Sequence, residues 1–465
     1  MRRKSYTDLN GMNKQILVIG GGISGLSVLH NLKKKYAADP HIQVRLLEKN
    51  GYAGGTARTK KYPHCLFEEG PNGFLDSKKS TLQLAQELGI DGDLLPAHHQ
   101  SAIRYICLKN KLHKLPHNPA GMFKFKPFSL YDKIRFPLEF FVPKGTTPNE
   151  TVYDFGKRRI GENFSRLFLD PMVSGIFGGD ARNMDLKSAF PRIYEIEQTY
   201  GSLIKGMIAL KKQKSLENKS SAPSGQPAGH LTSFRGGMSQ LTDALYKRYH
   251  DSIHLYEEVT VIHRLAESFS VETTKTQYFA QEVFIGAPAY KAAKFVANFA
   301  PKLSHALEQI TYAPIAVVGL VYRKQQFDRF PEGFGYLIPS SEGKKVLGVL
   351  FCSNIFPERC DQDHFLFRVM IGGARHPDII NLSHDELYAL ARGEIVDTLK
   401  IQDPPADQII KVWPEAIPQY NTQYPSLKLT IEDELKKFHG LHLVANYLNG
   451  VSLNDCTANA AAAIH

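Results

Sequence analysis

The most specific chemistry in the chain sits in the run Gly20-Gly21-Gly22-Ile23-Ser24-Gly25. Glycines at the first, third and sixth places leave a turn free of Cβ atoms, so backbone N–H groups can close on a phosphate at the start of a helix, where the helix dipole favours an anion. Glu48 follows about 20 residues on, the distance at which a carboxylate at the end of a second strand accepts both hydroxyls of an adenosine ribose. In the stretch from Glu48 and Lys49 to Arg58, Gly54 and Gly55 again allow close backbone approach and Arg58 offers a cation for phosphate. Standing alone, this second stretch would read as a solvated turn.

The elements needed to position these groups occur in order. Residues 15–19 read as a buried strand, 23–35 as a helix with apolar Leu26, Val28, Leu29 and Leu32, and 44–47 as a second strand. Strand, turn, helix and strand form one βαβ unit of a doubly wound Rossmann-like α/β sheet, so the chemistry indicated is dinucleotide binding. A short helix over 81–88 stops at Gly89, which can take the left-handed conformation. Residues 253–262 and 282–285 look like strands returning to that sheet, with a last strand over 441–445. Apolar runs at 317–322, 346–351 and 365–371 predict a second, mainly antiparallel β sheet, followed by a helix over 385–399. Residues 102–210 interleave aromatic and basic side chains, as in Phe123-Lys124-Phe125-Lys126-Pro127-Phe128. The Lys-, Ser-, Asn-, Pro- and Gly-rich segment 211–230 has little to bury and reads as a mobile surface loop.

A length of 465 residues implies two or three lobes. A net charge of +11 fits nucleic acid, an anionic membrane or an anionic small molecule and does not choose among them. The start of the chain is polar and basic, and no apolar run is long enough to cross a bilayer. The expectation is a cytoplasmic protein, soluble or peripheral on the cytoplasmic face of a membrane. Five cysteines, Cys65, Cys107, Cys352, Cys360 and Cys456, show no metal-ligand spacing and no disulfide framework. His64, His113 and His117 read as solvated or structural.

The stretch 48–59, followed by Glu68-Glu69-Gly70-Pro71, resembles the amine oxidase-like flavoproteins, which implies FAD rather than NAD. Further blocks resemble protoporphyrinogen oxidases: Arg104-Tyr105-Ile106, residues 170–180, Ser233-Phe234-Arg235-Gly236-Gly237-Met238, residues 334–339, residues 347–351 with Phe356-Pro357-Glu358-Arg359, and residues 413–420. The resemblance implies six-electron oxidation of protoporphyrinogen IX, with FAD taking hydride equivalents and O2 returning H2O2. With the flavin carrying the chemistry, it implies neither a metal nor a catalytic triad. It implies cofactor contacts from Gly20, Gly22, Ile23, Ser24, Gly25, Glu48, Lys49, Gly54, Gly55, Thr56, Arg58, Gly70, Pro71, Asn72, Val259, Trp413, Asn446, Val451, Ser452 and Leu453. On the substrate side it implies a propionate anchor at Arg104 and an apolar slot from Gly175, Leu337, Leu350 and Met370. Met370 departs from the phenylalanine that stacks on the macrocycle in plant-like members; a thioether packs on a π face less rigidly. Asn449-Gly450 and Asn459-Ala460 depart from the usual small-residue pairs.

The division implied is 1–99 and 231–300 as two parts of an FAD-binding domain, completed by 426–465. Residues 100–210 would form a helical, membrane-facing substrate lobe and 301–425 an antiparallel substrate domain. A peripheral membrane surface, a homodimer and hand-off to a ferrochelatase are the associations implied, with no nucleic acid. The alternatives are coproporphyrinogen III oxidation, whose four-carboxylate substrate calls for more cations than Arg104, more distantly an amine oxidase or carotenoid desaturase, or a non-catalytic basic binding protein.

Overall fold

The computed structural model describes residues 14–116, 118–216, 229–327 and 330–464. The polar start, His117 and residues 217–228 of the expected loop lie outside the described residues; residues 211–216 complete the helix Leu203–Leu216.

The dinucleotide-type sheet has five parallel strands in the order Ile253–His254, Ile42–Leu47, Lys14–Ile19, Glu282–Ile285 and Leu441–Leu443. Its central strand is apolar without alternation because helices cover both faces. Ile16 and Val18 pack with Leu26, Val28, Leu29 and Leu32 of the helix Ile23–Lys35, while Leu17 and Ile19 pack with Val296, Leu303 and Leu307 on the other side. Lys33, Lys34 and Lys35 end the first helix, where cations suit its dipole.

The run 253–262 is not one strand. Tyr256 takes a left-handed φ of 55°, which breaks the extended chain after Ile253–His254. Val259–Arg264 then pairs with Phe269–Thr273 in a separate three-stranded antiparallel sheet.

The second large sheet has seven strands, in the order Asp407–Pro418, Tyr312–Arg323, His364–Gly372, Val346–Phe351, Gly335–Leu337, Tyr105–Leu108 and Lys111–Lys114. Its pairs are antiparallel except Gly335–Leu337 beside Tyr105–Leu108. The last two strands lie in the stretch whose composition suggests helices. They form a hairpin whose two loop residues, Lys109 and Asn110, both have positive φ, as a tight turn matched to strand twist requires. One face is covered by the helix His384–Leu399 through Leu387, Ala391 and Ile395.

The helical lobe includes Pro119–Lys124, Leu130–Leu138, Val152–Arg159, Asp170–Phe177, Pro191–Tyr200 and Leu203–Leu216. The basic-aromatic run 123–128 is only partly on the surface. Phe125 and Phe128 are 4% and 5% exposed, packed with Ile106, Met122 and Leu167, while Phe123 is 46% exposed. A buried ion network braces the lobe. Arg159, fully buried, donates to Glu197 at 2.7 Å, to the carbonyl of Val142 at 2.8 Å and to that of Gly201 at 2.6 Å, and lies 3.1 Å from Glu139. Arg158 bridges Glu150 and Glu197. Glu197 is the carboxylate shared by both guanidinium groups, so its removal leaves each with one acid and breaks a buried pair, and Glu197→Ala is expected to cost about 3–5 kcal/mol. A urea-unfolding midpoint equal to that of the wild type would contradict this. No helix among the described residues is long and apolar enough to cross a membrane.

Candidate functional site

The Gly-rich turn is closed mainly by main-chain contacts. The Gly20 N–H donates to the Leu47 carbonyl at 2.8 Å, and a Cβ on Gly25 would stand 1.9 Å from the Gly20 oxygen. Gly54 pairs with Gly22 in an isolated bridge, its N–H donating to the Gly21 carbonyl at 2.7 Å. The second glycine pair thus lies against the first: a Cβ on Gly55 would meet Gly22 Cα at 3.0 Å. Glu48 is buried at the end of the second strand. It accepts from the Gly21 N–H at 2.6 Å and from the backbone and side-chain N–H groups of Asn50 at 2.8 and 2.6 Å. A carboxylate has about four acceptor sites and three are taken, so one remains for a ribose hydroxyl. Lys49 is exposed, and Val259 begins the separate antiparallel sheet. Ile23 and Ser24 form the first turn of the helix.

A second helix start comes to the same place. Ser452 caps Leu453–Ala462 in a capping box with Asp455, and this helix packs on the first one. The preceding segment is held by two tyrosines absent from the expected set. Tyr420 donates to the Asn446 carbonyl at 2.6 Å and accepts from the Gly450 N–H at 2.9 Å; Tyr424 donates to the carbonyls of Tyr447 and Leu448. Their rings stack at 4.3 Å. Val451 is half-buried and follows directly.

From the first sheet the chain runs along residues 67–72 onto one face of the second. A Cβ on Gly70 would stand 1.8 Å from the Thr56 carbonyl, so this strip lies directly against the second glycine segment. The Thr56 residue itself is exposed. Arg58 lies over the Tyr52 ring at 4.2 Å and 3.5 Å from Glu69. The Trp413 indole donates to the Glu69 carbonyl at 2.7 Å, and Arg368 donates to that of Gly70. Glu68 pairs with Arg359 at 3.0 Å and also accepts from Thr59 and the Met238 N–H; burial pushes its carboxyl above the usual range. Sequence reasoning missed Arg359 and Arg368. The available signal was a buried-strand run such as 364–372 carrying one arginine, since a buried charge needs a partner. Pro71 and Asn72 complete the strip, half-buried, and the Asn72 side-chain N–H group is buried without a partner among the described residues.

Strand register gathers the substrate-side residues. Side chains alternate across a sheet, so directly paired residues and those two apart share a face. Trp413 pairs with Ile315, Val317 with Met370, Met370 with Gly348, Gly348 with Leu337, and Leu350 with Gly335 and Arg368. Leu337 pairs with Ile106, placing Arg104 two residues back on the same face. Phe67 covers Gly319 there, and Gly175 of the helical lobe closes over Leu337, since a Cβ on it would meet Leu337 at 2.9 Å. Leu337, Leu350 and Met370 are half-buried in strands that are otherwise largely buried. Arg104 lies over the Phe334 ring at 5.0 Å. The surrounding protein pulls its pKa down by desolvation, yet the side chain is exposed to solvent and has no acidic partner among the described residues.

One cluster of metal-ligand type occurs among the described residues, at His64, Asp361 and His364. The two imidazole rings stack at 3.9 Å, 19° from parallel. An ion bonded to both Nδ1 atoms would lie well out of each ring plane, where the nitrogen lone pairs do not point. The nitrogens are instead satisfied by Asp361, at 3.0 and 2.7 Å.

A glycine-lined βαβ turn with its acid in place, joined by a strip of backbone to a mostly antiparallel sheet, is the arrangement of a dinucleotide-dependent oxidoreductase. The chain belongs to the flavin containing amine oxidoreductase family, which matches residues 23–464, and it is an FAD-dependent enzyme. It is 28% identical to protoporphyrinogen oxidase 2, chloroplastic/mitochondrial, of Arabidopsis thaliana, over 96% of this chain and 92% of the relative. It is 29% identical to the Bos taurus protoporphyrinogen oxidase, over 96% of each. It is also 25% identical to the coproporphyrinogen III oxidase of Bacillus subtilis, over 97% of each. The fold is shared with a crystal structure from Exiguobacterium sp. 255-15 named as a "Putative protoporphyrinogen oxidase", at a TM-score of 0.83, 20% identity and 98% coverage of both chains. It is shared also with the cyclohexylamine oxidase of Brevibacterium oxydans IH-35A, at a TM-score of 0.70, 17% identity and coverage of 97% and 98%.

Proposed function

We propose that this chain oxidises protoporphyrinogen IX to protoporphyrin IX, and that the substrate lies on the sheet face bearing Arg104, Leu337, Leu350 and Met370. The observation that carries the reading is the register that brings an acid-free guanidinium and three half-buried apolar side chains onto one face, beside the 67–72 strip. The residues present fit FAD: glycines whose Cβ atoms would fill the turn, a carboxylate with free acceptor capacity, and the unpartnered Asn72 amide. The pyrophosphate would be held by Gly20, Gly22, Ile23, Ser24 and Gly25 and by Val451, Ser452 and Leu453, where two helix starts add their dipoles. Glu48 and Lys49 would serve the ribose end, with Val259 near the adenine. Gly54, Gly55, Thr56 and Arg58 would serve the linker, and Gly70, Pro71, Asn72, Trp413 and Asn446 the ring end.

Bound FAD supplies the hydride acceptor, and O2 receives the electrons as H2O2. The protein's share is orientation and dryness. Arg104 pairs a propionate through its planar fork. Leu337 and Leu350 stand diagonally, with glycines opposite both, leaving room for a flat ring while excluding water. Trp413 and Arg368 fix the strip by its carbonyls, so the ring end cannot drift from the sheet.

Coproporphyrinogen III is the rival substrate, supported by the Bacillus subtilis relative. On this face, among the described residues, Arg368 is spent on Gly70 and Lys411 lies over Trp413 at 4.3 Å, whereas Arg104 at the outer edge has no acidic partner. That balance favours a substrate with fewer acids. Purified protein offered both porphyrinogens should show the higher kcat/KM for protoporphyrinogen IX; preference for coproporphyrinogen III would overturn the choice.

The helical lobe is proposed to rest on an anionic membrane surface. Leu130, Ile134 and Leu138 share a helix face and are 50–74% exposed, and Phe141 beyond them is 77% exposed. Lys133, Arg135 and Lys205 flank them, Lys205 lying 4.5 Å from the Phe140 ring centre. Apolar side chains rimmed by cations match an interfacial contact. The variant Leu130→Ser/Ile134→Ser/Phe141→Ser should lose most co-sedimentation with phosphatidylserine-containing liposomes; undiminished binding would remove the lobe from that role. A homodimer and hand-off of product to a ferrochelatase are further associations suggested by the family resemblance.

A further inference from the structure

We propose that Cys65 and Cys360 are a reversible oxidation site, a thiol pair that closes to a disulfide under peroxide and staples the flavin-side strip to the substrate sheet. The two residues face each other across an isolated antiparallel bridge. The adjoining main-chain bond runs from the Asp361 N–H to the His64 carbonyl at 3.0 Å, so the cysteines are a non-hydrogen-bonded pair, the type whose side chains approach most closely. Such pairs have Cα atoms about 4.5 Å apart, inside the range of about 4.4–6.8 Å that a disulfide spans.

The two thiols are not equivalent. Cys360 is half-buried and within reach of solvent, accepts from the Ser353 hydroxyl at 3.3 Å and faces the Cys65 thiol across the bridge. The Cys65 contact and the Ser353 hydroxyl, with Lys324 nearby, hold its pKa below the ordinary value for a thiol. Cys65 is 6% exposed, and its contact with Cys360, together with burial, pushes its pKa up. This division suits an attacking thiolate and a resolving thiol. Cys352 lies in the same apolar cluster, but it is buried and its pKa is pushed up to about 12, which marks it as a bystander.

The chemistry balances with hydrogen peroxide as the oxidant. The Cys360 thiolate attacks one peroxide oxygen, the O–O bond breaks, and the products are Cys360 sulfenic acid and hydroxide. The Cys65 sulfur then attacks the Cys360 sulfur, the S–OH bond breaks, and the hydroxide leaving group takes up the Cys65 proton as water. In sum, two thiols and one H2O2 give one disulfide and two waters, and external thiol restores the pair by exchange.

Placement gives the bond its consequence. Cys65 directly precedes the strand Leu66–Glu68, which leads into the strip held by Trp413 and Arg368; Cys360 lies just before the strand that carries Arg368 and Met370. The identity of the peroxide as the enzyme's own product rests on the reaction proposed above; the pairing does not, because added peroxide replaces turnover.

The test uses reduced, purified holoenzyme treated with H2O2, alkylated with N-ethylmaleimide in denaturant, digested and read by mass spectrometry. The expected result is a Cys65–Cys360 linked peptide that dithiothreitol releases, with Cys107, Cys352 and Cys456 alkylated. In Cys65→Ser the link should be lost and Cys360 should be trapped by dimedone as the sulfenic acid. Recovery of Cys65 and Cys360 as alkylated free thiols after peroxide, or a link to Cys352 instead, would overturn the proposal. Linkage by added peroxide but not by aerobic porphyrinogen turnover would leave the pair standing and count against the proposed reaction as its oxidant source.

Discussion

Gly22→Ala is expected to give a folded, colourless protein. Gly22 has φ −73° and ψ 177°, which alanine adopts without strain, and the nearest atom to an added Cβ is Gly55 Cα at 4.0 Å. The fold therefore has room for the methyl group, but the cofactor does not if its pyrophosphate crosses the turn. Overpacking of about 1–3 kcal/mol, with each 1.4 kcal/mol worth tenfold, puts the loss of FAD affinity at up to about 100-fold. Flavin per polypeptide after gel filtration, with far-UV circular dichroism, checks both halves. Full flavin content in the variant would move the pyrophosphate off Gly22. Gly25→Ala is the contrasting case: its Cβ would stand 1.9 Å from the Gly20 oxygen, so it should damage the turn itself.

Arg104→Ala should leave FAD bound and lower kcat/KM for protoporphyrinogen IX. A hydrogen-bonded ion pair of about 1.5–3 kcal/mol corresponds to about 10- to 150-fold. Flavin content should not change, because Arg104 sits near the outer edge of the sheet, beyond Leu337, while the Gly70 strip is held at Arg368 and Trp413. Arg104→Lys should recover part of the loss, since an ammonium supplies charge without the planar fork. Wild-type kcat/KM in Arg104→Ala would take the residue out of the substrate site.

The part of this molecule governed by local pattern was readable in advance. The strands at 15–19 and 44–47, the helix beginning at Ile23 and the placement of Glu48 follow from periodicity and spacing, and the structure puts them where such a unit requires. The features that were not readable depend on chain segments far apart in sequence. The Lys109-Asn110 hairpin lacks a glycine, so its turn carries little signal until positive φ is seen at both residues. Phe125 and Phe128 alternate with lysines as a surface run would, yet they sit beneath the helical lobe because Ile106 of the second sheet offers an apolar floor. Arg368, Trp413 and the Tyr420–Tyr424 pair act on carbonyls of distant segments, which spacing alone cannot reveal. The cysteines show the same limit, since Cys65 and Cys360 become partners only when the strip meets the sheet.

If the turn at Gly20, Gly22 and Gly25 holds FAD and the Arg104 face presents a porphyrinogen to it, that substrate must reduce the bound flavin. The most direct measurement is the visible spectrum of the purified protein on anaerobic addition of protoporphyrinogen IX, followed by porphyrin fluorescence on admitting air. The expected result is a yellow protein whose flavin absorbance bleaches with substrate and returns with oxygen as protoporphyrin fluorescence accumulates. A flavin-loaded protein that protoporphyrinogen IX does not bleach, but a primary or secondary amine does, would contradict it.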